Sequence, residues 1–249
     1  MSKAIVFGFH AVSARLRQRA GTVKEILIDA QRHDARVRKL LEAASAAGVG
    51  VRKVAGRRLT ELVGGAPHQG VVAFVEQIDS GASLESVLAS AREPALLLVL
   101  DGVQDPHNLG ACLRVADAMG AQALVVPRDR TVGLTPTVEK VASGAAQSVP
   151  YITVTNLART LRELQERGLW VVGAAQQADA PLAACDLTRA CALVLGAEGA
   201  GLRRLTAECC DELAAIPMMG TVESLNVSVA AGICLYEARR QRAGRSVSP

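Results

Sequence analysis

The run Ala95-Leu-Leu-Leu-Val-Leu100 is wholly apolar, and the polar stretch Asp101-Gly-Val-Gln-Asp-Pro-His-Asn-Leu-Gly110 follows it directly. The run lacks the alternation of polar and apolar residues that marks a strand with one wet face, so it is typical of a parallel strand covered on both sides. Further apolar runs occur at residues 122–126, 169–174, 191–195 and 212–216, with helical patterns between them. The rear of the chain, residues 94–249, therefore predicts an α/β domain built on a parallel sheet.

The chain before this strand shows shorter alternating elements. Its apolar runs predict strands at Ala4–Phe9, Glu25–Asp29, Val51–Val54 and Gly70–Glu76, and its helical patterns predict helices that end at Arg19, cover Asp34–Ala47 and lie near Arg57–Val63. Residues 77–93 are richer in Asp, Ser, Gly and Ala, with a weak helical pattern over Leu84–Ala91. We expect a small α/β domain at residues 1–76, a linker at 77–93 and the larger domain at 94–249.

Composition limits the class of protein. Half of the 249 residues are apolar, and the six cysteines show no C-x-x-C spacing. We therefore expect a folded protein with reduced, buried thiols in a cytosolic compartment. The N-terminus lacks the pattern of a signal peptide, and no apolar run approaches the roughly 20 residues that cross a bilayer.

The net charge of +4 is unevenly distributed along the chain. Residues 1–75 hold 13 Lys and Arg against 5 Asp and Glu, which leaves 15 against 19 for residues 76–249. The difference in charge indicates that the two domains differ in task, and basic residues of the front are candidates for phosphate contacts. The candidates for such contacts are Arg15, Arg17, Arg19, Arg57 and Arg58, although each could instead belong to a solvated charged face.

Polar segments follow three of the predicted strands. They are Asp101–Gly110, Leu195–Gly201 and Ile216–Ser228. Ligands bind at the carboxyl ends of the strands in an open parallel sheet, so we expect the three segments to meet at one edge.

Each segment taken alone also has a purely structural interpretation. Asn108 could cap a helix that begins at the next residue, and Arg114 could form an exposed pair with Asp117 on it. Ser224 could cap the last helix, with Asn226 in its first turn. In the second segment Glu198 could be a solvated charge among glycines that only turn the chain: Gly196, Gly199 and Gly201.

The glycine order of the second segment argues against a dinucleotide site. It is G-x-x-G-x-G, and it follows a late strand, whereas the dinucleotide fingerprint is G-x-G-x-x-G after an early one. The sequence also contains neither a Walker motif nor a G-x-S-x-G nucleophile elbow, which disfavours nucleotide hydrolysis and acyl transfer.

Taken together, the three segments resemble the signature motifs of the SpoU (TrmH-like) family of RNA ribose 2′-O-methyltransferases. The matching residues are Asp105-Pro-His-Asn108-Leu-Gly-Ala-Cys-Leu-Arg114, Leu195-Gly-Ala-Glu198-Gly-Ala-Gly201-Leu, and Ile216-Pro-Met with Ser224-Leu-Asn226-Val-Ser228. The resemblance covers residues 94–242. The front, which begins Gly8-Phe-His-Ala-Val12 and closes His68-Gln-Gly-Val, is similar to the L30e-like substrate domain that some members carry.

The resemblance implies a knotted, SPOUT-type methyltransferase domain, preceded by the small L30e-like domain and paired with a second copy through the C-terminal domain. It implies S-adenosyl-L-methionine as cofactor and no metal. The family's cofactor positions carry over to Gly196, Ile216 and Leu225. Its catalytic positions carry over to Asn108, Arg114, Glu198, Ser224 and Asn226.

The resemblance also implies roles and a substrate. Arg114 would position a phosphate or the ribose hydroxyl rather than accept the proton, because a guanidinium is normally protonated; Glu198 would orient it or a backbone donor. Asn108, Ser224 and Asn226 would hold the loops and the ribose. With its front domain, the chain resembles the subgroup of the family that methylates a guanosine ribose in large-subunit (23S) ribosomal RNA. A transfer-RNA ribose, a non-catalytic RNA-binding protein and a nucleotide-dependent oxidoreductase are the alternatives.

Overall fold

The structure is a computed structural model that describes residues 3–65, 67–76, 83–91 and 94–245. They form two compact units. The first comprises residues up to 81 together with Leu134–Ser148, and the second comprises residues 82–133 and the chain from 149 onward. Residues 134–148, which the sequence assigns to the rear domain, thus pack with the front. Parts of the predicted linker, residues 77–82 and 92–93, lie outside the described residues.

The elements alternate along the whole chain. The strands are β1 (Lys3–Phe7), β2 (Val23–Asp29), β3 (Val51–Val54), β4 (Val71–Glu76), β5 (Leu96–Asp101), β6 (Ala123–Pro127), β7 (Tyr151–Val154), β8 (Trp170–Ala174), β9 (Ala180–Pro181), β10 (Cys191–Gly196) and β11 (Glu212–Ala215). The helices are α1 (Phe9–Arg19), α2 (Ala35–Ala46), α3 (Gly56–Leu62), α4 (Leu84–Ser90), α5 (Pro106–Ala118), α6 (Pro136–Ala142), α7 (Ala145–Ser148), α8 (Leu157–Glu166), α9 (Arg204–Glu208) and α10 (Val227–Arg245).

The first unit is a mixed four-stranded sheet in the order β1-β4-β2-β3. β4 runs antiparallel to both neighbours, whereas β2 and β3 are parallel. Buried side chains of β2 and β4 form a core cluster with α1 and α2, including Ile26, Val12 and Leu40. The front of the chain is therefore the small α/β domain that the sequence predicts.

The second unit is a seven-stranded sheet in the order β7-β6-β5-β10-β8-β11-β9, and every pair of neighbours is parallel. β5 and β10 lie in register, so that Leu96 pairs with Cys191 and Asp101 with Gly196. This confirms the parallel sheet. It also brings the carboxyl ends of these strands side by side, which is where two of the three polar segments begin.

The apolar strands are buried as their sequence predicts. Every residue of β5 is buried, and Leu97 and Val99 pack in one core cluster with Leu161 of α8. Burying one leucine side chain stabilises a fold by about 1.5–3 kcal/mol, so these strands carry much of the unit's stability. No helix in the described part of the chain is both long and apolar enough to cross a membrane.

The C-terminal end of α10 is held in place. Near its end, Arg239 donates to the carbonyl oxygens of Met119 and Gly120 at 2.5 and 2.6 Å, at the C-terminus of α5. Arg242 donates to carbonyl oxygens at the start of β5 and just before β10: Pro94 at 2.6 Å, Ala95 at 3.1 Å and Arg189 at 2.8 Å. Arg239 and Arg242 thus form a clamp that holds the end of α10 on α5 and on the sheet.

Candidate active site

A cavity of about 400 Å³ lies at the carboxyl edge of the second sheet. Its walls come from the loop after β8, from residues 195–202 after β10, and from the segment after β11. They include five of the predicted site residues: Gly196, Glu198, Ile216, Ser224 and Leu225. The second and third polar segments therefore share one cavity.

Gly196 is required by the way the second segment folds back on itself. Gly201 donates its backbone N–H to the carbonyl oxygen of Ala197 at 2.9 Å, and these two residues form an isolated β-bridge. A Cβ at Gly196 would lie 2.0 Å from the carbonyl carbon of Gly201, far inside contact distance. The tight turn thus requires glycine here, with Gly199 and Gly201 at positive φ.

A chain of hydrogen bonds joins the three polar segments. Asn226 Nδ2 donates to Asn108 Oδ1 at 2.8 Å, and Asn108 Nδ2 donates to Glu198 Oε2 at 3.1 Å. Asn226 Oδ1 in turn accepts from the backbone N–H and the hydroxyl of Ser228, at 2.9 and 2.7 Å. Each amide donates in the same direction, and the carboxylate of Glu198 ends the chain as an acceptor.

The helix caps differ from the structural alternatives that the sequence allows. α5 begins at Pro106, and Asp105 caps it by accepting from the N–H of His107. Asn226, rather than Ser224, caps α10, since its carbonyl and side chain accept the first N–H groups of the helix. Asp105 and Pro106 start α5 earlier because an aspartate followed by proline is a strong helix start. Asn108 is thereby free to bond across the site.

Ser224 and Arg114 lie apart from this chain. Ser224 is exposed on the wall of the cavity. Arg114 is exposed on α5, does not line the cavity, and makes no hydrogen bond or ion pair with any residue in the described ranges. It is six residues from Asn108, so it projects from a different face of the helix. The structure brings Asn108, Glu198 and Asn226 together and leaves Arg114 outside.

Sequence reasoning missed a buried ion pair beside the site. Asp101, the last residue of β5, has a fully buried side chain and binds Arg203 in three ways. It accepts from the Arg203 backbone N–H at 3.2 Å and from Nε at 2.6 Å, and it forms an ion pair with Nη2. A buried carboxylate needs such a partner. The signal that could have found it is an aspartate directly after a wholly apolar strand.

The front arginines fall into two groups. Arg15 is only 5% exposed and bonds to Thr22 and Gln147, which speaks against a phosphate contact. Arg17, Arg57 and Arg58 are exposed, and the last two share Glu61 as an ion-pair partner: 3.1 Å and 3.7 Å. The side chain of Arg19 lies outside the described residues.

The cysteines are free thiols, and burial makes several of them inert. Burial raises the pKa of Cys112, Cys210 and Cys234 to about 12. A thiol with such a pKa carries almost no thiolate near neutral pH, so it is a poor nucleophile. These groups pack in the core and take no part in the chemistry of the cavity.

Family models place the chain in a known family. The model of the SpoU rRNA Methylase family matches residues 95–236, more than half of the chain. The model described as RNA 2′-O ribose methyltransferase substrate binding matches residues 5–80. The chain therefore belongs to the SpoU rRNA methylase family, as the three motifs indicate.

Relatives with curated names match almost the whole chain. The 23S rRNA (guanosine-2′-O-)-methyltransferase RlmB of Ralstonia nicotianae is 58% identical over 243 residues, which are 97% of this chain and 98% of that protein. The protein of the same name from Nitrosomonas europaea is 56% identical and covers 98% of this chain and 94% of its own length.

Solved structures agree with the fold. The SpoU methyltransferase AviRb from Streptomyces viridochromogenes, in complex with AdoMet, superimposes with a TM-score of 0.81 at 28% identity and covers 97% of this chain and 91% of its own. An AdoMet-bound rRNA methyltransferase from Sinorhizobium meliloti gives 0.76 at 26% identity, covering 96% of this chain and 87% of its own. The A. aeolicus TrmH/SpoU tRNA modifying enzyme gives 0.57 at 33% identity and covers only 62% of this chain and 79% of its own.

Proposed function

We propose that the protein transfers the methyl group of S-adenosyl-L-methionine to the 2′-hydroxyl of a guanosine ribose in 23S ribosomal RNA. The observation that carries this proposal is the cavity at the sheet edge, because its wall includes Glu198, the end of the hydrogen-bond chain that joins all three motifs. Relatives named for this reaction match both the front and the rear of the chain. The tRNA-modifying neighbour matches much less of it, which favours the ribosomal substrate.

The cavity fits the cofactor in size and chemistry. Its volume of about 400 Å³ lies within the range of roughly 300–1,000 Å³ that small-molecule sites occupy. Ile216 and Leu225 offer apolar surface for a base, and Gly196 lets the backbone approach a ligand. The carboxylates of Glu198 and Glu223 line the same cavity and favour a cationic ligand. The bound cofactor supplies a methyl group that its sulfonium charge has already activated.

The protein's own residues align the hydroxyl and assist the loss of its proton. Asn108 and Asn226 fix the first motif against the start of α10 through their 2.8 Å hydrogen bond. Glu198 completes this arrangement from the second motif, and Ser224 reaches the cavity from the third. We assign Asn108, Asn226 and Ser224 to holding the loops and the ribose.

Arg114 receives a separate role in this proposal. It is exposed and makes no hydrogen bond or ion pair within the described chain, so its five N–H donors are available to RNA. We assign it to positioning a phosphate or the ribose hydroxyl. Because a guanidinium is normally protonated, it does not serve as the proton acceptor.

We further propose that the protein acts as a homodimer through its C-terminal domain. α10 exposes an apolar stripe at helical spacing: Val229 at 50%, Ile233 at 37% and Tyr236 at 60%. Large apolar side chains aligned on one helix face are typical of an interface with a second copy. Light scattering of the Val229→Lys variant beside wild type tests this: a wild-type monomer would contradict the dimer.

The domains divide the work in this proposal. Residues 1–76 bind RNA, residues 77–93 link, and residues 94–249, apart from residues 134–148, which pack with the front, form the knotted catalytic domain. The exposed arginines of the front supply positive charge, and each neutralised phosphate contributes about −0.7 to −0.9 to the log–log salt slope of binding. We place the enzyme in the cytoplasm, where its ribosomal RNA substrate and its free thiols belong.

The decisive experiment measures methylation directly. Purified protein, 23S rRNA from a strain that lacks it, and radiolabelled S-adenosylmethionine should give one 2′-O-methylguanosine, absent from the same RNA without enzyme. Transfer RNA from that strain is the control substrate. Label in transfer RNA alone would show that the substrate is transfer RNA and not ribosomal RNA. Absence of label from both RNAs would contradict the proposed function.

A further inference from the structure

We propose that a second cavity at the same sheet edge binds a phosphodiester of the RNA strand beside the methylated nucleotide, through Arg130 and Arg203. The proposal rests on the proposed function, since it assigns a subsite for the same RNA. The cavity has a volume of about 260 Å³ and lies wholly within the second unit. Thr155, Asn156 and Asp129 also line it.

The position of this cavity links it to the cofactor cavity. It lies where β6 and β7 end, at the carboxyl edge of the sheet, because Pro127 is the last residue of β6 and Thr155 follows β7. Residues 202–207 separate the two cavities. Leu202 and Ala207 line the cofactor cavity, whereas Arg203 faces the second one. A group bound in the second cavity is therefore one chain segment away from the methyl donor.

Arg203 is fixed before any ligand arrives. Asp101 holds its Nε at 2.6 Å and also pairs with Nη2, yet the side chain remains 41% exposed. The guanidinium has five N–H donors in a rigid plane, so donors not used by Asp101 remain for a second oxyanion. An immobilised side chain loses less entropy on binding than a free one. Asp101 compensates the charge of Arg203, which therefore contributes mainly directed hydrogen bonds.

Arg130 supplies the uncompensated charge. It is exposed and makes no hydrogen bond or ion pair with any residue among those the structure describes. Because Asp101 compensates Arg203, the lining side chains leave one positive charge, on Arg130, beside the negative charge of Asp129. One such cation suits the single negative charge of a phosphodiester better than the several charges of a nucleoside triphosphate. The first turn of α8 also lines the cavity; the Asn156 side chain caps the N–H of Arg159, and the positive end of the helix dipole favours an anion.

A matched pair of variants tests the subsite. Arg128 and Arg130 lie on one short 3-10 turn and are both exposed, but only Arg130 lines the cavity. Arg128→Ala and Arg130→Ala remove the same charge from nearly the same place, so long-range attraction falls equally in both. Binding of the full-length protein to a 23S rRNA transcript that contains the methylated site should be measured over a range of salt concentrations. Cofactor affinity should be measured in parallel.

We expect Arg130→Ala to raise the Kd for RNA about tenfold and to flatten the salt slope by about 0.7–0.9, the contribution of one phosphate contact. Arg128→Ala should change the Kd less than twofold, and both variants should bind S-adenosylmethionine like wild type. Equal effects of the two variants, or a loss of cofactor affinity in Arg130→Ala, would overturn the subsite. Failure of the wild-type protein to methylate the transcript would instead overturn the proposed function, so the two failures are distinguishable.

Discussion

The direction of the hydrogen-bond chain between the motifs can be reversed by mutation. In the wild type, Asn226 donates to Asn108, which donates to Glu198. Asn226→Asp keeps the shape and the helix cap, because aspartate caps a helix about as well as asparagine. It removes the donor, however, so Asn108 lies between two carboxylates. Whichever way the Asn108 amide turns, its oxygen faces an acceptor and one hydrogen bond is lost.

The expected cost follows from the burial of these groups. Losing a hydrogen bond lowers the free energy of unfolding by about 0.5–1.5 kcal/mol. The contact between the Asn108 amide oxygen and a carboxylate oxygen adds to this cost. The Asn108–Asn226 contact is part-buried and the Asn108–Glu198 contact is exposed, so we expect about 1–2 kcal/mol for Asn226→Asp. Glu198→Gln should cost less, about 0.5–1 kcal/mol, because the glutamine oxygen can still accept while only the charge is lost.

The double variant should recover most of the loss. With both substitutions the Asn108 amide turns over, donates to the new carboxylate at position 226 and accepts from the new amide at position 198. The chain then runs in the opposite direction with every bond restored. We expect a coupling free energy of about 1 kcal/mol between the two substitutions.

Urea unfolding followed by tryptophan fluorescence measures this cycle in the correct unit, since Trp170 is the single tryptophan and lies in β8. The four proteins needed are wild type, both single variants and the double variant. If the two single costs simply add, the directional chain does not exist in solution and the reasoning is wrong.

Three further predictions concern other residues. Arg114→Ala should lower the single-turnover methylation rate about 10²-fold at saturating cofactor, because a misplaced hydroxyl reacts slowly. Arg114→Lys should lower the rate as well, and neither variant should change the affinity for the cofactor. A near-wild-type methylation rate in Arg114→Ala would contradict the positioning role. Gly196→Ala should weaken S-adenosylmethionine binding in calorimetry at least about tenfold, because a Cβ there meets Gly201; Gly220→Ala, with no heavy atom within 4 Å, is the control. Burial raises the pKa of the Glu139 carboxyl from 4.5 to about 7. Ionising this carboxyl therefore opposes folding, and the free energy of unfolding should fall as the pH rises from about 4.5 through 7. At pH 8, Glu139→Gln should be more stable than wild type by on the order of 1–3 kcal/mol, whereas at pH 4 the two proteins should be equally stable. Urea titrations followed by circular dichroism measure this difference. A difference that does not change with pH would contradict the prediction.

Much of the fold could be predicted from apolar runs, and the exceptions share one cause. The apolar runs do not indicate β7 and β9, which are the two edge strands of the second sheet. β9 has only two residues, and β7 is half-exposed with a threonine in it. A continuous apolar run indicates a strand covered on both faces, so it detects central strands and fails at edges.

The candidate site could be predicted as a set of segments but not as a set of contacts. Asn108 meets Glu198 across 90 positions of the chain and Asn226 across 118, and only the register of β5 with β10 brings the first two together. The bond between Arg15 and Gln147 spans 132 positions. Sequence patterns describe local structure, so they could not show that Arg15 is buried or that Asp101 binds Arg203.

The clamp at the end of α10 has a consequence for synthesis of the protein. All three motifs have been translated once residue 228 is made, yet Arg239 and Arg242 follow later and fasten the helix to carbonyl groups near residues 94–95, 119–120 and 187–189. A nascent chain that still lacks these arginines has every motif residue but lacks the clamp on the far end of the helix that Asn226 caps. The enzyme therefore gains this clamp only when residues 239–242 have left the ribosome. A premature stop or a bulky fusion close behind Arg242 would leave a full set of motifs in an unfinished site.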